Sequence, residues 1–172
     1  MATSLLSRKR DLTYFIFFCI HIPVLLCVDT YPIWASSIGV PGWMVSLRDF
    51  YITTYKDQFF IEPPVFFSLY IWLELLYHLP LSIYAITALL RNDPKLPLHL
   101  LVYAVQTGLT TATCIAEALA WDTLSSREKL SLAGGLYTPY LLVSVFMGLD
   151  MWSRLSASIE SAHKGTEVKK RR

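Results

Sequence analysis

Hydrophobic residues dominate four long stretches of the chain, and polar or charged residues are concentrated between these stretches and at the two ends. The stretches cover about residues 12–29, 66–90, 96–121 and 131–152. Each is near or above the roughly 20 residues that a helix needs to cross the hydrocarbon core of a bilayer. Because lipid cannot hydrogen-bond an exposed backbone, runs of this length predict helices. We therefore expect an all-α polytopic membrane protein, built as a bundle of four transmembrane helices.

The segments between the apolar stretches define the rest of the expected architecture. The linkers 91–95 and 122–129 are short, which favours antiparallel packing of adjacent helices. The segment 30–66 is longer, and from Trp43 to Phe60 it places aromatic residues at roughly helical spacing. This pattern predicts a short lumenal helix at the membrane interface. The expected organisation is an N-terminus over residues 1–11, a membrane domain over 12–153 and a polar, unstructured basic tail over 154–172.

The first apolar stretch has a second interpretation as a cleaved signal peptide, because a basic segment precedes it and small residues follow it. The stretch is long for a signal peptide, and it contains His21 and Pro23. Asp29 also comes before any plausible cleavage site. A first transmembrane helix that also targets the chain therefore fits better.

Composition excludes several classes of function. The chain has 172 residues, of which 54% are hydrophobic and 16% are charged. Its net charge is only +2, and its sequence has no basic stripe that would bind nucleic acid. The three cysteines, Cys19, Cys27 and Cys114, fall inside apolar runs and resemble small buried hydrophobes. His21, His78, Asp29 and Glu74 are usual metal-ligand types, but the chain has neither the spacing of a metal-ligand motif nor a nucleotide-binding motif. We therefore expect no metal and no cofactor.

The distribution of basic residues predicts the orientation of the bundle. Most of the 15 lysines and arginines fall on one side if both termini are cytoplasmic, which satisfies the positive-inside rule. Lys169 and Lys170 stand four and three positions from the end of the given sequence, in a pattern that resembles the dilysine retrieval signal of endoplasmic reticulum membrane proteins. A plain stop-transfer tail that binds anionic lipid is the alternative. We expect an endoplasmic reticulum location.

Ionisable and polar residues inside the apolar stretches are candidates for a binding site, because such groups are costly in a membrane and usually face a bundle interior. At a rise of about 1.5 Å per residue, one residue from each span reaches a similar depth. These four residues are Asp29, Glu74, Thr110 and Tyr140. We expect Asp29 and Glu74 to share one proton and one negative charge, at the floor of a pocket for a small molecule.

Two histidines lie near the middle of their spans. Each is followed by an apolar residue and then by a proline. His21-Ile22-Pro23 occurs in the first span and His78-Leu79-Pro80 in the second. The prolines predict kinks that free a carbonyl one turn earlier and open space between helices. The histidines are candidates for ligand contact, with structural hydrogen bonding as the alternative.

Several of these segments together resemble a known family. The segments HIPVLLCVD (21–29), KDQFFIEPPVFF (56–67), ELLYHLP (74–80) and YTPYLLVSVFM (137–147) are similar to the sigma-2 receptor group of the EXPERA domain proteins. That superfamily also includes emopamil-binding protein, the sterol Δ8-Δ7 isomerase. The resemblance covers all four spans.

The resemblance implies a homodimeric receptor of the endoplasmic reticulum that binds cationic amphiphiles and sterol-like ligands. It implies that Asp29 binds the ligand amine and that Glu74 is the buried glutamate beside it. It implies that Asp57 stabilises the loop between the first two spans. The remaining pocket positions that it implies are His21, Thr110 and Tyr140.

The chain also departs from the family pattern. His78 stands where the receptors usually have glutamine, and Gln106 replaces a histidine. The sterol isomerase uses its own histidine and glutamate set and a fifth helix, so isomerase activity does not carry over. We expect a receptor or sterol-handling protein that is not an enzyme. The alternatives are an isomerase-like enzyme and an assembly or trafficking factor without a ligand.

Overall fold

The structure of the chain is a computed structural model that describes the backbone of residues 4–170 and the side chains of residues 4–165. Four helices in this part of the chain are long and apolar enough to cross a membrane. We call them spans 1 to 4, and they are Lys9–Asp29, Val65–Arg91, Leu96–Ala120 and Ser126–Gly165. All the regular structure among the described residues is helical. The predicted all-α class with four spans is confirmed.

Three of the four spans change helix type along their length. Each contains a π-helical segment, in which the hydrogen-bonded turn is one residue wider than in an α-helix. The π segments are Leu25–Asp29 in span 1, Glu74–His78 in span 2 and Leu130–Tyr137 in span 4. The flanking α-helices are Lys9–Val24, Val65–Leu73, Leu79–Arg91, Ser126–Lys129 and Thr138–Lys170. The hydropathy pattern predicted the spans but not these changes.

The segment between spans 1 and 2 contains two short α-helices, Tyr31–Ser37 and Gly42–Tyr55, followed by a 3₁₀ turn at Gln58–Phe60. One helix over residues 43–60 was predicted, and the helix Tyr31–Ser37 was missed. Pro32 stands in the first turn of this helix. Proline is favoured in the first turn of a helix, where its missing N–H has no intrahelical partner to lose.

The last helix extends further than predicted. The polar residues after Arg154 were expected to be unstructured, but the α-helix runs without a break from Thr138 to Lys170. No proline interrupts this stretch, and alanine, glutamate and lysine favour helix. An existing helix also extends without the cost of a new nucleus. The side chains of Lys169 and Lys170, the predicted retrieval signal, lie outside the described residues.

The four spans share one apolar core and run antiparallel to their neighbours. Residues from every span are buried in it, including Tyr14, Phe18, Leu100 and Met147. Many large apolar side chains point outwards, for example Val65 at 95% exposure. Apolar residues on every face of a helix are expected where the outer face meets lipid.

Spans 3 and 4 approach closely through small residues. A Cβ atom on Gly108 would lie 3.2 Å from Ser144 Oγ, and one on Gly148 would lie 3.6 Å from Ala104 Cβ. On each span the two small residues are four positions apart, so they lie on one face. Small residues at this spacing let helix backbones pack closely in membranes. This contact holds the two spans together beside the site.

A network of ion pairs joins the ends of spans 1, 2 and 4. Arg154 contacts Asp11 and Asp150 at 2.7 Å each, and both aspartates are buried. Asp150 also accepts a hydrogen bond from the Tyr14 hydroxyl at 2.9 Å. Arg8 adds a hydrogen bond to the Leu89 carbonyl at 2.6 Å, at the end of span 2. Because its members come from both ends of the sequence, the network fixes how the spans meet.

Candidate ligand-binding cavity

A cavity of about 390 Å³ lies between the four spans, away from the ion-pair network. Its walls come from all four spans and from the connecting segment between spans 1 and 2. The lining residues are His21, Val24, Val28, Asp29, Tyr51, Tyr55, Phe60, Phe67, Tyr70, Ile71, Glu74, Thr107, Thr110, Thr111, Cys114, Leu136, Tyr137 and Tyr140. A mostly apolar and aromatic wall with a few polar groups is typical of small-molecule sites, and the volume falls within their usual range of about 300–1,000 Å³.

Five of the six predicted ligand-binding residues line this cavity: His21, Asp29, Glu74, Thr110 and Tyr140. His78 does not line it. The His78 ring is 1% exposed and lies behind Glu74. We expected His78 to contact a ligand directly, and the structure corrects this expectation, because the His78 side chain lies behind the cavity wall.

The two carboxyl groups of the cavity come from π segments of neighbouring spans. Asp29 ends the π segment of span 1, Glu74 begins that of span 2, and the two segments pack against each other. Asp29 is half-buried because it faces the cavity, and it lies within electrostatic range of Glu74. π turns are frequent at functional sites, since the wider turn re-aims a side chain.

Side chains satisfy carbonyls in the widened turn of span 1. The Thr30 hydroxyl donates to the Leu25 carbonyl at 2.8 Å, and the Trp34 indole N–H donates to the Leu26 carbonyl at 3.1 Å. Thr30 is fully buried. Sequence analysis missed both residues. No local signal identifies them, because the missing N–H of Pro23 frees the carbonyl of Cys19, four residues earlier, and not those of Leu25 and Leu26.

Glu74 faces two histidines. Its Oε2 lies 2.8 Å from Nδ1 of His78 and 3.9 Å from Nε2 of His21. The first distance is short enough for a hydrogen bond. A hydrogen on His78 Nδ1 would not point towards Glu74 Oε2, however, so neither atom has a hydrogen-bond partner among the described residues. The other ring nitrogen of His78 lies 2.8 Å from Gln106 Oε1. The three ionisable side chains thus form one compact cluster.

His21 is held by aromatic rings rather than by hydrogen bonds. It stacks on Phe17 with a centroid distance of 5.3 Å, and the Tyr140 ring meets it edge-on at 5.8 Å. The residue is 4% exposed, and neither ring nitrogen has a hydrogen-bond partner among the described residues. Buried polar atoms without partners are rare in folded proteins.

Thr110 uses its hydroxyl proton within its own helix. The hydroxyl donates towards the Gln106 and Thr107 carbonyls, at 3.1 and 3.2 Å. Threonine hydroxyls commonly bond carbonyls one turn back in this way. Thr110 therefore presents a methyl group and acceptor lone pairs to the cavity.

Asp57 joins the connecting segment to span 4. The side chain is fully buried and accepts hydrogen bonds from Tyr51 Oη at 2.8 Å, Tyr137 Oη at 2.6 Å and the Phe59 amide at 3.0 Å. Burial raises the pKa of Asp57, and these three hydrogen bonds oppose the rise. Burial and the Asp57 charge also raise the pKa of Tyr51, which keeps its hydroxyl as a donor. Both tyrosines line the cavity, so Asp57 positions part of its wall.

Comparison with known proteins identifies similar chains. Residues 43–151 match the model of the family described as EXPERA, the expanded EBP superfamily. The chain is 31% identical to efficient mitochondria targeting-associated protein 19 of Schizosaccharomyces pombe, over 90% of this chain and 81% of that protein. It is 27% identical to sigma intracellular receptor 2 of Xenopus tropicalis, over 84% of this chain and 89% of that protein. The human sigma intracellular receptor 2 is also 27% identical, over 79% and 83% of the two chains.

Proposed function

Because this multi-pass membrane protein belongs to the EXPERA family, we propose that it is an intracellular receptor for cationic amphiphilic and sterol-like ligands. The observation that supports the proposal is the pair of carboxyl groups, Asp29 and Glu74, on the wall of an otherwise apolar and aromatic cavity. Two carboxyl groups at close range share one proton, and the pair carries one net negative charge. A charge in such a cavity attracts a ligand cation far more strongly than it would in water.

The two carboxyl groups have different roles in this proposal. Asp29 pairs with the ligand amine, and Glu74 orients Asp29 through the shared proton. His78 holds Glu74 from behind the cavity wall, where it lies 2.8 Å from Oε2. The rings of Tyr140 and Phe67 cover the apolar body of the ligand, since both line the cavity.

The test is equilibrium binding of a radiolabelled cationic amphiphile to the purified full chain in detergent. Asp29→Asn keeps the size of the side chain and removes the charge, so affinity should fall by about 30-fold or more, which is about 2 kcal/mol. The matched control is Asp122→Asn, because Asp122 is exposed and lies outside the cavity. Equal affinity of the Asp29→Asn variant and the wild type would refute the role of Asp29.

The proposal includes a cellular setting. We place the protein in the endoplasmic reticulum membrane with both termini cytoplasmic, retained through Lys169 and Lys170, and linked to sterol homeostasis as a homodimer. Replacing both lysines with serine should move a tagged chain out of the endoplasmic reticulum in fluorescence microscopy. Unchanged distribution would assign the basic tail to lipid binding instead.

The two alternative functions gain no specific support from the described residues. The isomerase-like enzyme is tested by sterol profiles, since such an enzyme would restore Δ7 sterols in cells that lack the isomerase. The assembly or trafficking factor is tested by lipid analysis of the purified protein, because a receptor of this kind should retain a sterol or another amphiphile. Loss of that lipid in Glu74→Gln would favour the receptor.

A further inference from the structure

We propose that His21, Glu74 and His78 form a binding site for a transition-metal dication of the zinc class. The three side chains come from spans 1 and 2, and each offers one ligand atom within 4.8 Å of the other two. Two imidazoles and one carboxylate are a usual ligand set for Zn²⁺ with an open fourth position. This inference goes beyond the receptor function, because it assigns a second kind of ligand to Glu74 and includes His78, which does not line the cavity.

The separations of the ligand atoms suit a tetrahedral ion. Two ligands at about 2.0–2.1 Å from zinc in tetrahedral geometry lie about 3.3 Å apart. Glu74 Oε2 lies 2.8 Å from His78 Nδ1 and 3.9 Å from His21 Nε2, which brackets that value. Small side-chain rotations are therefore enough to bring the three atoms around one ion.

Several polar atoms of the cluster lack a hydrogen-bond partner, which also favours a bound ion. Glu74 Oε2, His78 Nδ1 and both ring nitrogens of His21 have no hydrogen-bond partner among the described residues. His21 and His78 are 4% and 1% exposed, so little of either side chain contacts solvent. An ion bound between the three side chains would bind one of these unpartnered atoms from each side chain.

Neighbouring residues position the two histidines for this role. His78 Nε2 lies 2.8 Å from Gln106 Oε1, so the N–H donated to Gln106 leaves Nδ1 as the unprotonated ring nitrogen that can bind a metal. Histidines that bind metals usually donate their other ring N–H to such an acceptor. Phe17 and Tyr140 fix the plane of the His21 ring.

The fourth position of the ion would face the cavity, because His21 and Glu74 both line it and His78 lies behind them. Asp29 lines the same cavity without belonging to the ligand set. Ion binding displaces the proton that the receptor proposal places between Asp29 and Glu74, and the two carboxylates then balance the two positive charges of the ion. Charge balance favours the ion there, since an unpaired charge in an apolar surrounding is costly.

The experiment measures zinc on the full chain, purified in detergent without a histidine tag and stripped with a chelator. After incubation with Zn²⁺ and gel filtration, mass spectrometry should find about one ion per chain, as expected for one three-ligand site. His78→Gln should weaken zinc binding at least tenfold in competition with a fluorescent chelator, since even the loss of an outer partner costs about 10–100-fold.

The matched control is His99→Gln, which removes a histidine whose ring packs against Tyr84, away from the cluster. It should bind zinc like the wild type. Co²⁺ should give the visible absorption of a four-coordinate site, and Glu74→Gln should change that spectrum. All variants are compared for their elution volume and thermal transition, so that a misfolded variant is recognised.

Two results would overturn the inference: wild-type chain that keeps far less than one ion, or equal zinc binding by wild type and the folded His78→Gln variant. The amine-binding assay is run in chelator, and the zinc assay is run without a ligand. Failure of the receptor proposal and failure of the metal site are therefore observed separately.

Discussion

Replacing Asp57 with alanine should destabilise the connecting segment and the cavity wall beside it. The change removes three hydrogen bonds to a fully buried carboxyl group, two of them from the hydroxyls of Tyr51 and Tyr137. A hydrogen bond to a charged group contributes about 1.5–3 kcal/mol. Burial of the carboxylate, which raises the pKa of Asp57, offsets part of this sum. We expect a net loss of about 3 kcal/mol.

The assay is reversible denaturation of the purified protein in micelles, followed by helical circular dichroism, with Tyr137→Phe as the paired change. Tyr137→Phe should cost about 1.5–3 kcal/mol alone and much less in the Asp57→Ala background, because the shared hydrogen bond is then already lost. Tyr70→Phe is the control, since the Tyr70 hydroxyl makes no hydrogen bond to another described residue. Strictly additive losses in the double variant would refute the reasoning.

The same carboxyl group has a pH signature whose sign follows from its raised pKa. The folded state holds the Asp57 proton up to a higher pH than the unfolded state, whose aspartate pKa is about 3.9. The contribution of Asp57 to stability therefore falls as the pH rises from about 4 through the folded pKa. The difference in unfolding free energy between wild type and Asp57→Asn should follow this slope, and a difference of opposite sign would contradict it.

Two further changes test contacts that hold the spans together. Gly108→Val should cost about 1–3 kcal/mol in unfolding free energy, because even a Cβ would lie 3.2 Å from Ser144 Oγ and the branch adds further overlap. Arg154→Gln should cost about 2 kcal/mol, because it leaves two buried aspartates short of a partner, although Arg154 itself is 32% exposed.

Each of these changes has a control of the same type. Gly148→Ala should stay within about 1 kcal/mol of wild type, because the new Cβ would meet Ala104 at an ordinary 3.6 Å. Arg127→Gln should be near neutral, since Arg127 is exposed and forms no ion pair with another described residue. If either control were as destabilising as its partner, close packing or the ion-pair network would not be the cause.

Part of the candidate site was predictable because depth in a membrane follows from position in a span. Counting residues placed Asp29, Glu74, Thr110 and Tyr140 at one level, and all four line one cavity. The orientation of His78 was not predictable in this way. It depends on the π turn that begins at Glu74 and on Gln106, which lies 28 positions later in the sequence.

The residues that support the site escaped sequence analysis for the same reason. Tyr51 and Tyr137 meet at Asp57 from separate elements, and 80 positions separate Tyr137 from Asp57. Asp150, near the end of its span, is buried against Arg10, Tyr14 and Arg154. Partners of this kind are selected by how the helices pack, and a single sequence carries no record of that packing.

The amino-acid sequence by itself determined the four spans and the level of the polar groups along them. Both follow from local hydropathy and from the regular rise of a helix, which need no knowledge of neighbouring elements. Only the tertiary structure decided the widened turns and the meeting of His21, Glu74 and His78. These features depend on how one helix rotates against another, and that rotation is set by contacts between residues distant in the chain.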